Sequence, residues 1–426
     1  DGVTDDTAAI QAALDAANTA GGGTVFFPEA TYVCTDLETY GGVALVGQGF
    51  AGTELKDTTG LTYLLSVNKG TGGTSDPSDN ATGIEIFGIH FSGPVVALGF
   101  SQHRHLLNLH AVSDVHIHHC KISGFRGDGI YLGSSNSAAT ERHNERVQIT
   151  DNVIDGLNND NRNGISVIDC TDLVISRNQF VNCTRANMPG NIDVEPNPGD
   201  AFTRLRNLRI TGNTFNNHGG GSCVSVAINE WDGLTVSPQG FDISRNFFES
   251  AHSLPVASCV TDSTTTVTMP ATTGILAGML VSGAGISAGT TVAAVVDATS
   301  ITLSGAAVAS ATVTLTFEAS ASVAKAVFFK LHNSSAPRVL TDADPEAHLR
   351  IEGNLSLYRG GFVLEGVNGF VVSGNTHRDT VTPGHPWVIG SESIAAAPLE
   401  RNARNGVISD NFLAGVGNSE GQLIFG

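Results

Sequence analysis

The stretch GNIDVEPNPGD, residues 190–200, sets three carboxylates (Asp193, Glu195 and Asp200) between and around two prolines. In a chain with 15% charged residues, such a concentration is a candidate for acid/base chemistry. If the stretch is a strand, residues i and i+2 share a face, with Cα atoms about 6.7 Å apart. Carboxyl groups roughly 6.5–9.5 Å apart admit a water for inverting glycoside hydrolysis, and about 5–5.5 Å suits the retaining reaction; side-chain rotamers leave both open. Two adjacent acids also repel, so one holds its proton while the other ionises. Asp193 and Glu195 are the expected catalytic pair. Asp200 belongs to the loop behind Pro196 and Pro198, which force a rigid, extended exit from the strand.

Other side chains compete for the same role. In INEWDG, Glu230 and Asp232 flank Trp231, whose ring would stack on a sugar if exposed and packs into the core if not. Tyr131, Asp128 and Asn163 lie in the related segments DGIYLG and NGISVI. Arg126, Arg162 and Arg185 sit beside these segments and have the planar fork that holds a carboxylate. The histidines at 103, 105, 110, 116, 118 and 119 are dense, but their spacing supplies no third ligand in closed geometry, and no metal site is expected there.

The bulk numbers narrow the field. The formal net charge is −19, which argues against nucleic acid or an anionic membrane as partner and against a polyanionic substrate unless a local patch overrides it. No apolar run approaches the length of a membrane span. Fifty glycines beside 41% apolar residues describe a turn-rich β protein with a large core. The six cysteines form no CxxC pair and read as buried thiols. The chain opens on DGVTDD with no signal peptide, and is expected to begin inside a longer polypeptide.

Acids can act together only if something repeats beneath them, and here something does. VQITDN, LVISRN, LRITGN, FDISRN, LRIEGN, FVVSGN and GVISDN place asparagines at 152, 178, 213, 246, 354, 375 and 411, and VHIHHC places Cys120 at the equivalent position. From Cys120 the steps are 32, 26, 35, 33, 108, 21 and 36 residues. Short alternating runs at this period are the mark of a β-solenoid, one coil per repeat. A right-handed parallel β-helix is therefore expected, an all-β fold with an Asn ladder at a corner that needs the left-handed conformation. Aligning DGIYLG, NGISVI, NIDVEP and CVSVAI puts Ile130, Ile165, Ile192 and Val224 in one inward column, and Leu132, Val167, Val194 and Val226 in another. Tyr131, Ser166, Asp193 and Ser225 then form an outward column, with Glu195 beside Asp193 and with Asp128 and Asn163 a step earlier. Tyr131 and Asp128 would stand roughly 10 Å from Asp193, two strand spacings away.

Two segments depart from the repeat. In DGVTDDTAAIQAALDAANTAGGGTVFFPEATYVC, Ile10, Ala13, Leu14 and Ala17 recur at helical spacing behind Asp5 and Asp6, so an α-helix is expected to cap the open end of the coil. This segment resembles the N-terminal cap of the pectate-lyase-like β-helix superfamily, found in polysaccharide lyases, glycoside hydrolases, alginate epimerases and phage tailspikes. The resemblance implies the fold and a carbohydrate substrate. It also implies a homotrimer of tailspike type, on a virion tail or secreted. Residues 256–318 contain no Lys or Arg and read as a small inserted β-sandwich, for subunit contact, glycan binding or spacing. The organisation expected is a capped β-helix over 1–255, the insert over 256–318, and further coils over 319–426.

Three functions follow as expectations. The first is a depolymerase hydrolysing a bacterial-surface or other complex polysaccharide with Asp193 and Glu195, needing no cofactor. Asp128, Tyr131, Arg162, Asn163, Asp200, Glu230, Trp231 and Asp232 would then bind the glycan. The second is a lyase or C5-epimerase on a uronic-acid polymer, with Tyr131 as base and arginine or Ca²⁺ neutralising the carboxylate. The compact acid–His motif of alginate epimerases is absent from this sequence. The third is a spike that binds glycan without cleaving it.

Overall fold

The computed structural model describes the chain apart from residues 69–79, 135–140, 158–160, 186–187, 230, 250–252, 276, 319–324, 333–343, 358–360, 380–386, 390–402, 416–423 and 426. Helix Thr7–Thr19 buries Ile10 and Leu14 against the first coil, with Ala17 partly buried and Ala13 exposed. Asp6 stands at the cap position without a side-chain bond; Asp5 supplies one instead, its Oδ1 accepting from the Thr7 amide at 2.9 Å. The helix ends at Gly21–Gly23, all at positive φ. A Cβ on Gly22 would lie 2.7 Å from the Gly42 carbonyl oxygen, so only glycine lets the chain turn this close to the next coil.

From there the chain winds into three parallel sheets of eleven strands each. The first runs from Gly23–Phe27 to Arg404–Ser409, the second from Ala30–Val33 to Phe412–Gly415, and the third from Leu37–Glu38 to Ile424–Phe425. Every coil contributes one strand to each, and the fold is a right-handed parallel β-helix. Alternation at period two points one apolar column per sheet inward. In the second sheet this column includes Phe180, Phe215 and Phe248, fully buried, with ring centroids 4.8 and 5.1 Å apart and planes nearly parallel. All six cysteines are buried free thiols.

The asparagines line the corner between the first and second sheets. Asn152, Asn178, Asn213, Asn246, Asn354 and Asn375 each pass both the backbone N–H and an amide N–H to the side-chain oxygen of the next, at 2.9–3.1 Å, ending at Asn411. The left-handed conformation expected at the asparagine falls instead on the residue before it. Asp151, Arg177, Arg245 and Asp410 have φ of 54–59°, and Gly212, Gly353 and Gly374 have φ of 61–67°. The preceding residue turns the corner in the open, which leaves each amide pointing inward to be satisfied by its neighbours. Asn213→Ala deletes the acceptor for two buried donors of Asn178. It should cost about 2–3 kcal/mol, read as a lower urea midpoint at unchanged m.

The long step in the repeat is bridged without a break, since Asn246 donates directly to Asn354 Oδ1 at 2.9 Å. Residues Ser253–Glu318 leave the coil between these two. They form one antiparallel sheet of six strands around their own apolar cluster, including Val267, Ile301, Leu315 and Phe317. The coil resumes at Lys325–His332, paired in parallel with Ser222–Asn229.

Candidate active site

The outer face of the third sheet carries the acids. Its register aligns Tyr131 with Ser166, Ser166 with Asp193 and Asp193 with Ser225, as the repeat predicts. The same column begins with Glu38, Ser66 and Asn108, and turns apolar at Phe328 and Val363. Its polar stretch therefore ends one coil past Asp193.

Asp193 faces outward from the core yet is only 2% exposed. Asn163 Nδ2 donates to its Oδ2 at 3.0 Å and to Ser166 Oγ at 2.9 Å, while Asp193 Oδ1 is buried with no hydrogen-bond partner. Burial, then repulsion from Glu195, pushes the Asp193 carboxyl up to about 8 against the pull of Arg162. It thus carries a proton at neutral pH. Glu195, the next outward residue, is partly exposed, with its amide bonded to the Val167 carbonyl at 3.1 Å.

Behind this pair lies a buried ion pair. Arg162 Nη1 donates to both oxygens of Asp128 at 2.8 Å and reaches Ser166 Oγ at 3.4 Å. Asp128 is fully buried, and both its amide nitrogen, at 3.0 Å, and its Oδ2, at 3.2 Å, meet His105 Nδ1. Burial raises the Asp128 carboxyl, but His105 and Arg162 outweigh it and hold it below its ordinary value. The His105 ring lies between Tyr63 and Tyr131, with centroids at 5.8 and 4.4 Å and planes within 5°. Tyr131 bonds the Asn197 side chain, and burial, followed by the nearby Asp128 charge, drives its hydroxyl up to about 12.

The loop after the strand is the wall that the prolines suggested. Asp200 accepts from Ser134 Oγ across two coils and from the Phe202 amide at 3.1 Å. Pro196, Asn197, Gly199 and Asp200 face Asn229, Gly233 and Leu234 across a concavity of about 70 Å³.

Several expected glycan ligands are committed elsewhere. Asp128 is enclosed and serves Arg162; Asp200 ties the loop. Trp231 is 7% exposed and packs with the apolar core, because the short helix Trp231–Gly233 turns its ring inward rather than toward a sugar. Asp232 lies in that helix, and Glu230 lies outside the described residues. Arg126 staples three carbonyls, those of Gly60, Leu98 and Gly99, and Arg185 stacks 3.5 Å over the Phe100 ring. Of the histidines, His105 and His110 adjoin Tyr131, whereas His116, His118 and His119 cluster on the first sheet. Among the described residues no three metal-ligating side chains converge, and no helix is long and apolar enough to cross a membrane.

Sequence reasoning missed the partners of Asp128. A signal was present: Tyr63, His105, Asp128 and Asn163 each stand two residues before the inward Leu65, Leu107, Ile130 and Ile165.

Several known proteins are similar to parts of this chain. Residues 1–192 match the family model described as rhamnogalacturonase A/epimerase, pectate lyase-like. A stretch of 74 residues is 46% identical to the mannuronan C5-epimerase AlgE1 of Azotobacter vinelandii, covering 16% of this chain and 5% of that protein. The exopolygalacturonase of Thermotoga maritima superposes with a TM-score of 0.46 at 10% identity, over 97% of this chain and 89% of its own. The tailspike protein of E. coli bacteriophage HK620, solved with a pentasaccharide, gives 0.48 at 12% identity, over 96% of this chain and 62% of its own. The family match spans residues 1–192, less than half of the chain, while three sheets coil on to Phe425: the chain is a parallel β-helix whose N-terminal part is similar to the pectate-lyase-like family.

Proposed function

We propose that this protein is an extracellular or virion-borne polysaccharide depolymerase that hydrolyses glycosidic bonds, with Asp193 as general acid and Glu195 as general base. The observation that carries the reading is the pairing of a buried carboxyl, protonated at neutral pH, with a partly exposed carboxylate two residues further on, just past the end of the strand. In the reaction the Asp193 proton passes to the glycosidic oxygen as the C–O bond breaks. Glu195 takes a proton from the water that attacks the anomeric carbon. Asp193 Oδ1 is enclosed and has no hydrogen-bond partner in the fold, which leaves it, rather than the Oδ2 that accepts from Asn163, as the oxygen to carry the transferable proton. No cofactor is needed for this chemistry. A homotrimer is the assembly proposed, by resemblance to tailspikes.

The short match to mannuronan C5-epimerases favours a second reading, abstraction of the proton beside a uronate carboxylate by Tyr131. A hydroxyl held at about 12 and already bonded to Asn197 is a poor base at neutral pH, so hydrolysis is the better supported. Incubating the protein with a panel of capsular and plant polysaccharides separates the readings. New reducing ends without unsaturated-uronate absorbance are expected. Appearance of that absorbance would establish a lyase instead, deuterium uptake at C5 in D2O without cleavage would establish an epimerase, and binding without any of these signals would leave a non-catalytic spike.

A further inference from the structure

A second glycan surface lies on a different sheet. The outer face of the first sheet holds a groove of about 920 Å³ that crosses four successive strands, from Cys170–Ser176 to Leu349–Glu352. Four of the chain's 22 lysines and arginines line it: Arg177, Arg209, Arg245 and Arg350. Asp242 and Glu352 line it too, so four cations against two anions leave the groove net positive in a protein of net charge −19.

The arginines are spaced regularly. Along the strand column Arg209 pairs in register with Asp242 and Asp242 with Arg350, so the two cations occupy alternate coils. At the corner Arg177 and Arg245, each preceding a ladder asparagine, occupy alternate coils with Gly212 between them. Both pairs are thus about 9.6 Å apart, two strand spacings. Arg177 is engaged by Asp151 and Arg350 by Glu352. Arg209 and Arg245 are exposed and make no side-chain hydrogen bond or ion pair among the described residues. Ser244 Oγ, on the groove floor, is buried without a partner, with the residue 3% exposed.

We infer that this groove binds an extended acidic glycan, with Arg209 and Arg245 taking carboxylates on its sugars and Ser244 taking a hydroxyl. Arginine suits the role because its fork meets a carboxylate through two parallel hydrogen bonds. A groove that crosses four coils fits a chain rather than a small anion, and its mixed floor of hydroxyls between cations fits sugar rings better than dense phosphate. The surface belongs to the first sheet, so it can hold polymer while the third sheet acts on it.

Calorimetric titration of the full chain tests this. The protein carries Asp193→Asn to prevent turnover, and the probes are oligogalacturonate, oligomannuronate and the methyl ester of the first. At least one acidic oligosaccharide is expected to bind and the ester to fail. Adding Arg209→Gln and Arg245→Gln should weaken binding about tenfold or more, because each lost charge-assisted bond is worth on the order of one decade. Cleavage by protein with Asp193 intact should be unchanged on short oligosaccharides by the same double substitution. Failure of both acidic probes to bind, equal binding of the ester, or unaltered affinity in the variant overturns the inference. A change of oligomeric state in sedimentation without loss of glycan affinity also overturns it and makes the groove a subunit contact.

Discussion

Asp193→Asn is expected to reduce polysaccharide cleavage by about 10²–10⁴-fold, the range over which a positioned proton donor acts. The amide can still accept from Asn163, so the fold survives while the transferable proton is gone. For the intact protein, kcat/KM should fall as pH rises through about 8, where the Asp193 carboxyl ionises. The same substitution reports on stability with a definite sign. In the unfolded chain the carboxyl ionises near 3.8, whereas in the folded protein it keeps its proton to about 8. Between these values the native state binds more protons than the unfolded state, so stability declines with rising pH across that window and levels off above it. Asp193→Asn removes this slope. The variant should be more stable than the parent at pH 8–9, by an amount on the order of a few kcal/mol, and close to it at pH 4. Urea melts at the two pH values measure the difference. A variant that is fully active, or a parent whose stability does not decline with pH, would remove Asp193 from the role of acid.

Asp128→Ala should be the most damaging single change to stability, costing about 3–5 kcal/mol. The loss is not that of one contact. Arg162 would keep a charge in a site that is mostly enclosed, with Ser166 Oγ as its remaining side-chain hydrogen-bond partner among the described residues, and the Asn163 backbone amide would lose its acceptor. Breaking a buried pair from one side is costly because the remaining ion is uncompensated, while replacing both partners by apolar groups is often close to neutral. Asp128→Leu with Arg162→Met should therefore recover most of the stability lost in Asp128→Ala. A double-mutant cycle from thermal or urea denaturation gives the coupling. If the single variant loses less than about 1 kcal/mol, the level of an exposed ion pair, the site is far wetter than the structure places it.

These two acids show where sequence stops being legible. The coil, its sheets and the alignment of Tyr131, Ser166, Asp193 and Ser225 could be read directly, because each strand alternates at period two and a ladder asparagine marks seven of the eleven coils. That periodicity is local and repeats eight times along the chain, counting Cys120, so it survives variation in any one coil. It also sends Asp193 and Glu195 to the same outer face. It says nothing of depth. Asp193 and Glu195 are two residues apart, the first in the strand and the second just past its end, yet one is enclosed and protonated and the other meets solvent. Asp128, expected as a glycan ligand on the same face, stands two residues before the inward Ile130, so the same alternation turns it inward, where Arg162 and His105 meet it.

The reason is that burial and proton affinity are set by what arrives from other coils. The Asp193 site is completed by Asn163, 30 residues earlier, and Asp128 by His105 and Arg162, 23 and 34 residues away. The Asp200 loop closes on Ser134, 66 residues distant. The connecting loops that bring these groups together differ in length from coil to coil and follow no repeat. The position of the left-handed corner residue was likewise misplaced by one, since only the stacked amides reveal that asparagine is held inside the turn. Sequence alone determined the coil, its register and the face that carries the acids. Tertiary packing alone decided which acid keeps its proton, because desolvation and neighbouring charge act through space and not along the chain.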